Sequence, residues 1–240
     1  MRGEYEIRAY DIEGCFPNMP KKAILLAAIE YVAHLRRSGQ KGVWVPRART
    51  KRPDWCPPDK KQPGTWIPLQ ELVDLLEFAL ENAFIKMPNG QIWKQMNGIP
   101  MGDPLSPGMT ILTCSWMEKE WLAGMQPLDT MFFRGARYMD DILLFLNKSE
   151  DWDYEGFIKN FEESTCYWKP LNLEASDAGT FLESTIFKVG DDVSFRLKNQ
   201  NEFGNNIWRY HDYRSRLDYT TKRAILISTL RKVDKMASDR

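Results

Sequence analysis

Two adjacent carboxylates inside an apolar, strand-forming run constrain this chain more than any other feature. In ARYMDDILLF, residues 136–145, Asp140 and Asp141 stand between Tyr138-Met139 and Ile142-Leu143-Leu144-Phe145. Side by side the two charges repel, and apolar surroundings penalise each of them. Side chains alternate along a regular strand, so a straight segment cannot aim both at one site, whereas a tight turn between two strands can. TMFFRGARYMDDILLFLN, 130–147, is accordingly read as two short strands around such a turn. A divalent cation would cancel the repulsion. A third carboxylate from another element would complete the site, and Asp11 ends the strand-like EYEIRAYDI, 4–12. Hard cations such as Mg2+ take oxygen ligands, usually a few carboxylates plus substrate phosphates. Taken alone, the dipeptide is better explained as an exposed polar β-turn with two solvated aspartates.

The rest of the chain supplies helices and strands in alternation. Apolar spacing predicts helices over 21–37, over 67–87, from Ser106-Pro107 to Gly124, within 150–168 and over 218–239. Strands are expected at 4–12, 170–175, 179–189 and 192–199, and a hairpin at 88–98 with Asn89-Gly90 as a two-residue turn. This order predicts an α+β fold, a mainly antiparallel sheet with helices packed on one face. Residues 38–67 break the pattern. They are rich in Pro, Gly, Lys and Arg and are interleaved with Trp44, Trp55 and Trp66. Such an insertion either tracks a phosphate backbone and stacks on bases or is a solvated loop pinned by its tryptophans.

Bulk properties exclude more than they assign. With 33 basic and 33 acidic residues, whole-chain charge does not point to nucleic acid, so any such partner must be argued from local charge. The four cysteines, Cys15, Cys56, Cys114 and Cys166, form no CxxC pair, which argues against a zinc site and a disulfide framework. A reducing, intracellular compartment (nucleus or cytoplasm) is the expectation. No run of about 18 apolar residues is present, so no membrane partner is expected.

Two further segments join the aspartate pair. In DIEGCF, 11–16, an aromatic follows Asp11 by five residues; in GIPMGDPLSP, 98–107, glycines and prolines precede a helix and allow close backbone approach to a ligand. Asp11 with Phe16, then GIPMGDPLSP, then YMDD resemble motifs A, B and C of the reverse transcriptases, in the family's order. TFLESTIF, 180–187, resembles the segment that meets the primer, and NLEAS lies where the fourth palm motif should end. The resemblance covers roughly residues 4–198. Met101 before Gly102, LENAFIKMPNGQIWKQMNGIPMG and the tail HDYRSRLDYTTKRAILISTLRKV are similar to Penelope-like retroelements.

The resemblance implies an RNA-directed DNA polymerase with a polymerase palm, using two Mg2+ ions (or Mn2+), an RNA template, a DNA primer and dNTPs. Asp11, Asp140 and Asp141, with the carbonyl of Ile12, would hold the metals. Ions about 3.5–4 Å apart stabilise the attacking and leaving oxygens of an in-line displacement, so no protein nucleophile is needed. Phe16 would exclude a ribose 2′-OH, and the same ring also suits a core position at a helix start. Met101, Gly102, Pro104 and Ser106 would shape the nucleotide pocket. Tyr138, Met139, Phe181 and Leu182 would lie by primer and template, and Lys169 is a candidate proton donor to pyrophosphate. Phe16 and the PxGxxLSP form favour DNA over RNA synthesis, and nucleotidyl cyclases have no counterpart of GIPMGDPLSP.

Asp11 stands much nearer the start than in a full-length member of that family. The expectation is therefore a palm, 1–198, with a connector and the start of a thumb, 199–240, that needs a fingers-bearing segment or subunit. The alternative is a fragment or relic palm that binds nucleic acid or a partner without polymerising alone.

Overall fold

A computed structural model describes residues 5–47, 52–55, 63–163, 166–176, 179–182, 184–190, 192–197 and 218–236. In chain order its elements are β1 (Tyr5–Ile12), α1 (Cys15–Asn18), α2 (Lys21–Arg37), β2 (Gly42–Pro46), β3 (Gly64–Pro68), α3 (Leu69–Glu81), β4 (Phe84–Lys86), β5 (Ile92–Lys94) and α4 (Ser106–Ala123). There follow β6 (Phe133–Tyr138), β7 (Asp141–Asn147), α5 (Tyr154–Glu162), β8 (Leu173–Ala175), β9 (Thr180–Phe181), β10 (Ser184–Val189), β11 (Asp192–Leu197) and α6 (Tyr219–Met236). The protein is a mixed α+β chain with antiparallel sheets. No described helix is long and apolar enough to cross a membrane.

The chain divides into two compact units. The first comprises the described parts of Met1–Asp11, Gln126–Gly156 and Glu174–Arg240. Its main sheet has the order β6-β7-β1-β8, and a second sheet has the order β11-β10-β9. Ala9 and Tyr10 of β1 and Ile142, Leu143, Leu144 and Leu146 of β7 are buried. The run Ile142–Leu144 is continuous rather than alternating, as expected of a central strand covered on both faces. Asp218 caps the start of α6, its carboxylate accepting the Thr221 N–H at 2.7 Å and the Thr220 and Thr221 hydroxyls. Those bonds, led by the one from Thr220, hold the Asp218 carboxyl down to about 2. Most of the connector expected at 199–240, residues 199–217, lies outside the described residues.

The second unit comprises the described parts of Ile12–Met125 and Phe157–Leu173. α2 buries Ala23, Ile24, Ala27, Ala28, Val32 and Leu35, one stripe at three- and four-residue spacing. It stops in a Schellman motif: Gly39 has φ +85°, its N–H bonds the Arg36 carbonyl, and the Gln40 N–H bonds the Leu35 carbonyl. Val32 and Leu35 meet Leu69 and Val73 of α3, each such side chain contributing about 1.5–3 kcal/mol on burial. α4 also turns small polar side chains inward; Ser106, Thr110 and Thr113 are fully buried with Met109, Cys114 and Met117. Cys15, Cys114 and Cys166 are buried and form no disulfide; Cys56 lies outside the described residues.

Three local expectations change. α3 ends at Glu81 instead of running to Met87, because the Asn82 backbone and side-chain amides both bond the Phe78 carbonyl and Phe84-Ile85-Lys86 leave for a strand. The hairpin at 88–98 turns through three residues, Pro88-Asn89-Gly90, not two. Met87 and Gln91 pair across the turn, Pro88 suits its first corner, and Gly90 takes φ +84°. The stretch 38–67 is not purely loop. β2 and β3 pair antiparallel with Trp44 opposite Trp66, and the Trp44 N–H bonds the Asp54 carbonyl at 2.6 Å. Of its cations, Arg49, Lys51, Lys60 and Lys61 lie outside the described residues.

Candidate active site

Strand pairing brings the three aspartates to one end of the main sheet. Asp11, near the end of β1, is the direct cross-strand partner of Asp141, the first residue of β7. Tyr138 is the partner of Asp141 on the other side, so β6 and β7 are joined by the two-residue turn Met139-Asp140. The sheet thus places Asp11 and Asp141 face to face in register and sets Asp140 at the hairpin tip. Met139 makes that turn with φ 58°, a left-handed conformation that costs a non-glycine residue about 1–2 kcal/mol. Arg137 Nη1 donates to the Met139 carbonyl at 3.0 Å and fixes the corner.

The electrostatics match this crowding. Burial, and then the Asp140 charge beside it, push the Asp141 carboxyl above its ordinary value. Among the described residues, no three carboxylate, imidazole or thiol side chains converge closely enough to hold a metal ion unaided. The donor set nevertheless suits a hard cation whose shell is completed by phosphate oxygens, since Mg2+ needs only one or two carboxylates in that case. The repulsion felt by Asp141 is the favourable term such a cation would release.

In the second unit, the segment after Asp11 and the glycine-rich segment meet. The Ile99 N–H bonds the Phe16 carbonyl at 2.9 Å. Gly98 has φ +67°, and a Cβ there would lie 2.2 Å from the Pro17 carbonyl oxygen and 2.4 Å from that of Phe16. Only glycine fits so close a backbone crossing. Phe16 itself is half-buried in the short helix α1. Ser106 is sealed inside, its Oγ donating to the Pro100 carbonyl at 2.6 Å. The Leu105 N–H bonds Asp103 Oδ1 at 2.7 Å. These ties hold the loop so that Met101, Gly102 and Pro104 project to solvent, with Met101 80% exposed. Ser106 therefore shapes the loop from within. Ile12 is buried, and Lys169 is exposed with its Nζ on Asn172 Oδ1 at 2.7 Å.

In the first unit, β9 and β10 pair antiparallel, with Phe181 opposite Ser184. Leu182 has φ 55° there and is exposed, while Phe181 is half-buried. Tyr138 is 63% exposed beside the aspartate turn. Two residues escaped the sequence reading. Arg137 carries no motif signal beyond preceding Tyr138. Gly98 was legible only as one glycine of a glycine-rich segment, because the carbonyls it crosses are about eighty residues away in the chain.

Comparison with known proteins shows a likeness of fold. No protein-family model matches the chain, and no curated protein matches it in sequence. Among solved structures it is similar to the telomerase of Candida tropicalis in complex with a TWJ fragment of telomeric RNA. That match has 14% identity and a TM-score of 0.57, over 94% of this chain and 33% of that one. The Candida albicans telomerase with the TWJ fragment of telomeric RNA gives 16% identity and a TM-score of 0.53, over 81% of this chain and 32% of that one. Apo telomerase from C. tropicalis truncated from its C-terminal domain gives 16% and 0.51, over 79% and 35%. This chain spans about a third of the length of these telomerases. The likeness to these telomerases is one of fold; none of these matches bears on a Penelope-like origin.

Proposed function

We propose that this chain carries the palm of an RNA-directed DNA polymerase and supplies its metal-binding carboxylates. The observation that carries this reading is the register pairing of Asp11 with Asp141, with Asp140 at the adjoining turn. Asp11, Asp140 and Asp141 would hold Mg2+ or Mn2+, joined by the Ile12 carbonyl. Those residues would give the reaction Lewis-acid stabilisation of its phosphoryl oxygens through the cations they hold. The protein's own share is positioning. The β6–β7 corner, held by Arg137, fixes the Asp140 backbone, and β1 fixes Asp11 opposite. Met101, Gly102 and Pro104 offer an exposed surface to an incoming nucleotide and template, with Ser106 bracing their loop. Phe16 is assigned as the sugar gate from its spacing after Asp11. Tyr138, Met139, Phe181 and Leu182 are assigned to primer and template.

The test is extension of a DNA primer on an RNA template in Mg2+ or Mn2+, with the chain joined to a fingers-bearing segment. Asp140→Asn is expected to lower the rate about a hundredfold or more, the loss of several kcal/mol of charge stabilisation. Unchanged extension by the variant would end the metal assignment. A second reading is favoured by the RNA-bound telomerases among the similar structures. On that reading the chain binds RNA without extending a primer. RNA binding that is unaltered by Asp140→Asn, with no extension under any condition, would select it.

A further inference from the structure

α2 and α4 pack together in the second unit, and a cleft of about 660 Å³ opens between them. That is the size of a small-molecule site, and such sites are mostly apolar with a few placed polar groups. The cleft has this make-up. Tyr31 of α2 and Ile111, Leu112 and Trp116 of α4 line it. Trp116 is steadied by an edge-on contact with Trp168, their ring centroids 5.2 Å apart. Tyr31 and Ile111 are 46% and 50% exposed, so aromatic and aliphatic surface stands open there. At Gly108, also in the lining, an added Cβ would meet nothing within 4 Å.

The polar groups of the lining fall into two sets. Glu30 is committed, because its carboxylate accepts from Trp116 Nε1 and from Lys119 Nζ and so ties α2 to α4. Tyr31, His34 and Arg37 form the other set. They follow one another at three-residue spacing, which puts them on one face of α2, and all three are exposed and line the cleft. Among the described residues, none of their side chains has a hydrogen-bond or ion-pair partner. Glu30 cancels Lys119, so Arg37 leaves the lining with one positive charge. One net charge suits a singly charged anion, and the planar guanidinium fork matches a carboxylate. Hydrogen bonds to an ionised acceptor are the strong ones. We infer that this cleft binds an aromatic carboxylate. Its flat body lies against Tyr31, Ile111 and Trp116, and its anion takes hydrogen bonds from Arg37 and His34. None of these residues is among those assigned to the polymerase reaction, so the inference is independent of that reading.

The experiment is fluorescence anisotropy of 1-pyrenebutyrate, a flat aromatic carboxylate, titrated with the full chain. Saturable binding at equimolar stoichiometry is expected. 1-Pyrenebutanol has the same body without the charge and should bind about tenfold or more weakly, having lost a hydrogen bond to a charged group. The acid should weaken by a similar factor on Arg37→Gln. Gly108→Leu fills the cleft and should abolish saturable binding, whereas Gly108→Ala, too small to reach across it, should leave binding largely intact. Both replace a helical glycine with a better helix former, so neither should lower the melting temperature, and loss of binding in the leucine variant is not loss of fold. Arg37→Gln, at an exposed position, keeps the test valid if Gly108→Leu proves misfolded. No saturable binding by the parent overturns the inference. So does equal affinity for the acid and the alcohol. Binding that survives a folded Gly108→Leu overturns it too, since the probe then lies elsewhere on the chain.

Discussion

At the scale of the residue, the aspartate turn concentrates two unfavourable terms in four positions. Met139 occupies left-handed space without being glycine, and Asp141 is partly buried beside Asp140. Residues held in sparsely populated conformations persist where surroundings over-determine them, commonly at functional sites. The Asp141 carboxyl is raised by burial and by its neighbour from an ordinary value of 3.8. The native state therefore holds that proton more tightly than the unfolded chain, and stability falls as pH rises from the ordinary value through the raised one. Asp141→Asn should raise the melting temperature at neutral pH by about 1–3 °C, with the gain disappearing below the ordinary carboxylate range. Mg2+ should raise the melting temperature of the parent at pH 7 and not that of the variant. A variant no more stable than the parent at neutral pH would contradict the repulsion argued for the pair.

Elements hold the site through contacts that differ in kind. On β1, the Glu6 carboxylate accepts from Arg8 Nε at 2.7 Å and pairs with Lys148 at 2.8 Å, and both cations lie over the Tyr154 ring. Burial alone would raise the Glu6 carboxyl, but hydrogen bonds from Lys148, Tyr154 and Arg8 win and hold it at about 2, against an ordinary 4.5. Its contribution is present above the ordinary value and lost as pH falls toward the native one. Chemical denaturation between pH 6 and about 2 should show stability falling in the parent and a flatter profile in Glu6→Gln. Between the glycine-rich segment and α1 the constraint is steric. Gly98→Ala forces a Cβ onto two carbonyl oxygens and should cost about 3 kcal/mol or more. Gly90→Ala, with φ +84° but open space around it, should cost only about 1 kcal/mol. Equal urea midpoints for the two variants would remove the close crossing as the reason for Gly98.

At the scale of the whole molecule, much of the element order was readable because helix and strand periods are local. α2 begins and ends at the expected residues, α4 starts at Ser106, and the strand-turn-strand around the aspartates lies where the alternation argument requires it. The misreadings are also local competitions. Leu69–Glu81 and Phe84–Lys86 share one apolar run, and periodicity cannot tell a long helix from a shorter helix followed by a strand. At 38–67 the composition signals loop, while the pairing of Trp44 with Trp66 across about twenty residues makes ribbon at its ends. Of the site, the aspartates and the glycine-rich loop were legible as residue types in order. The sealing of Ser106 and the crossing at Gly98 were not.

The amino-acid sequence by itself determined which groups are present and where a turn must fall. Two adjacent acids in an apolar strand demand a corner, and glycines beside prolines demand a loop. Only the tertiary structure decided which groups meet. A strand slipped by one residue turns every side chain to the other face, so the pairing of Asp11 with Asp141, about 130 positions apart, is set by packing over the whole of β1 and β7. The same holds for the surface of α3 and the β4–β5 ribbon. Hydrophobic periodicity marks their residues as apolar, and only the folded chain leaves them uncovered, because burial depends on what the rest of the molecule brings to lie against each face.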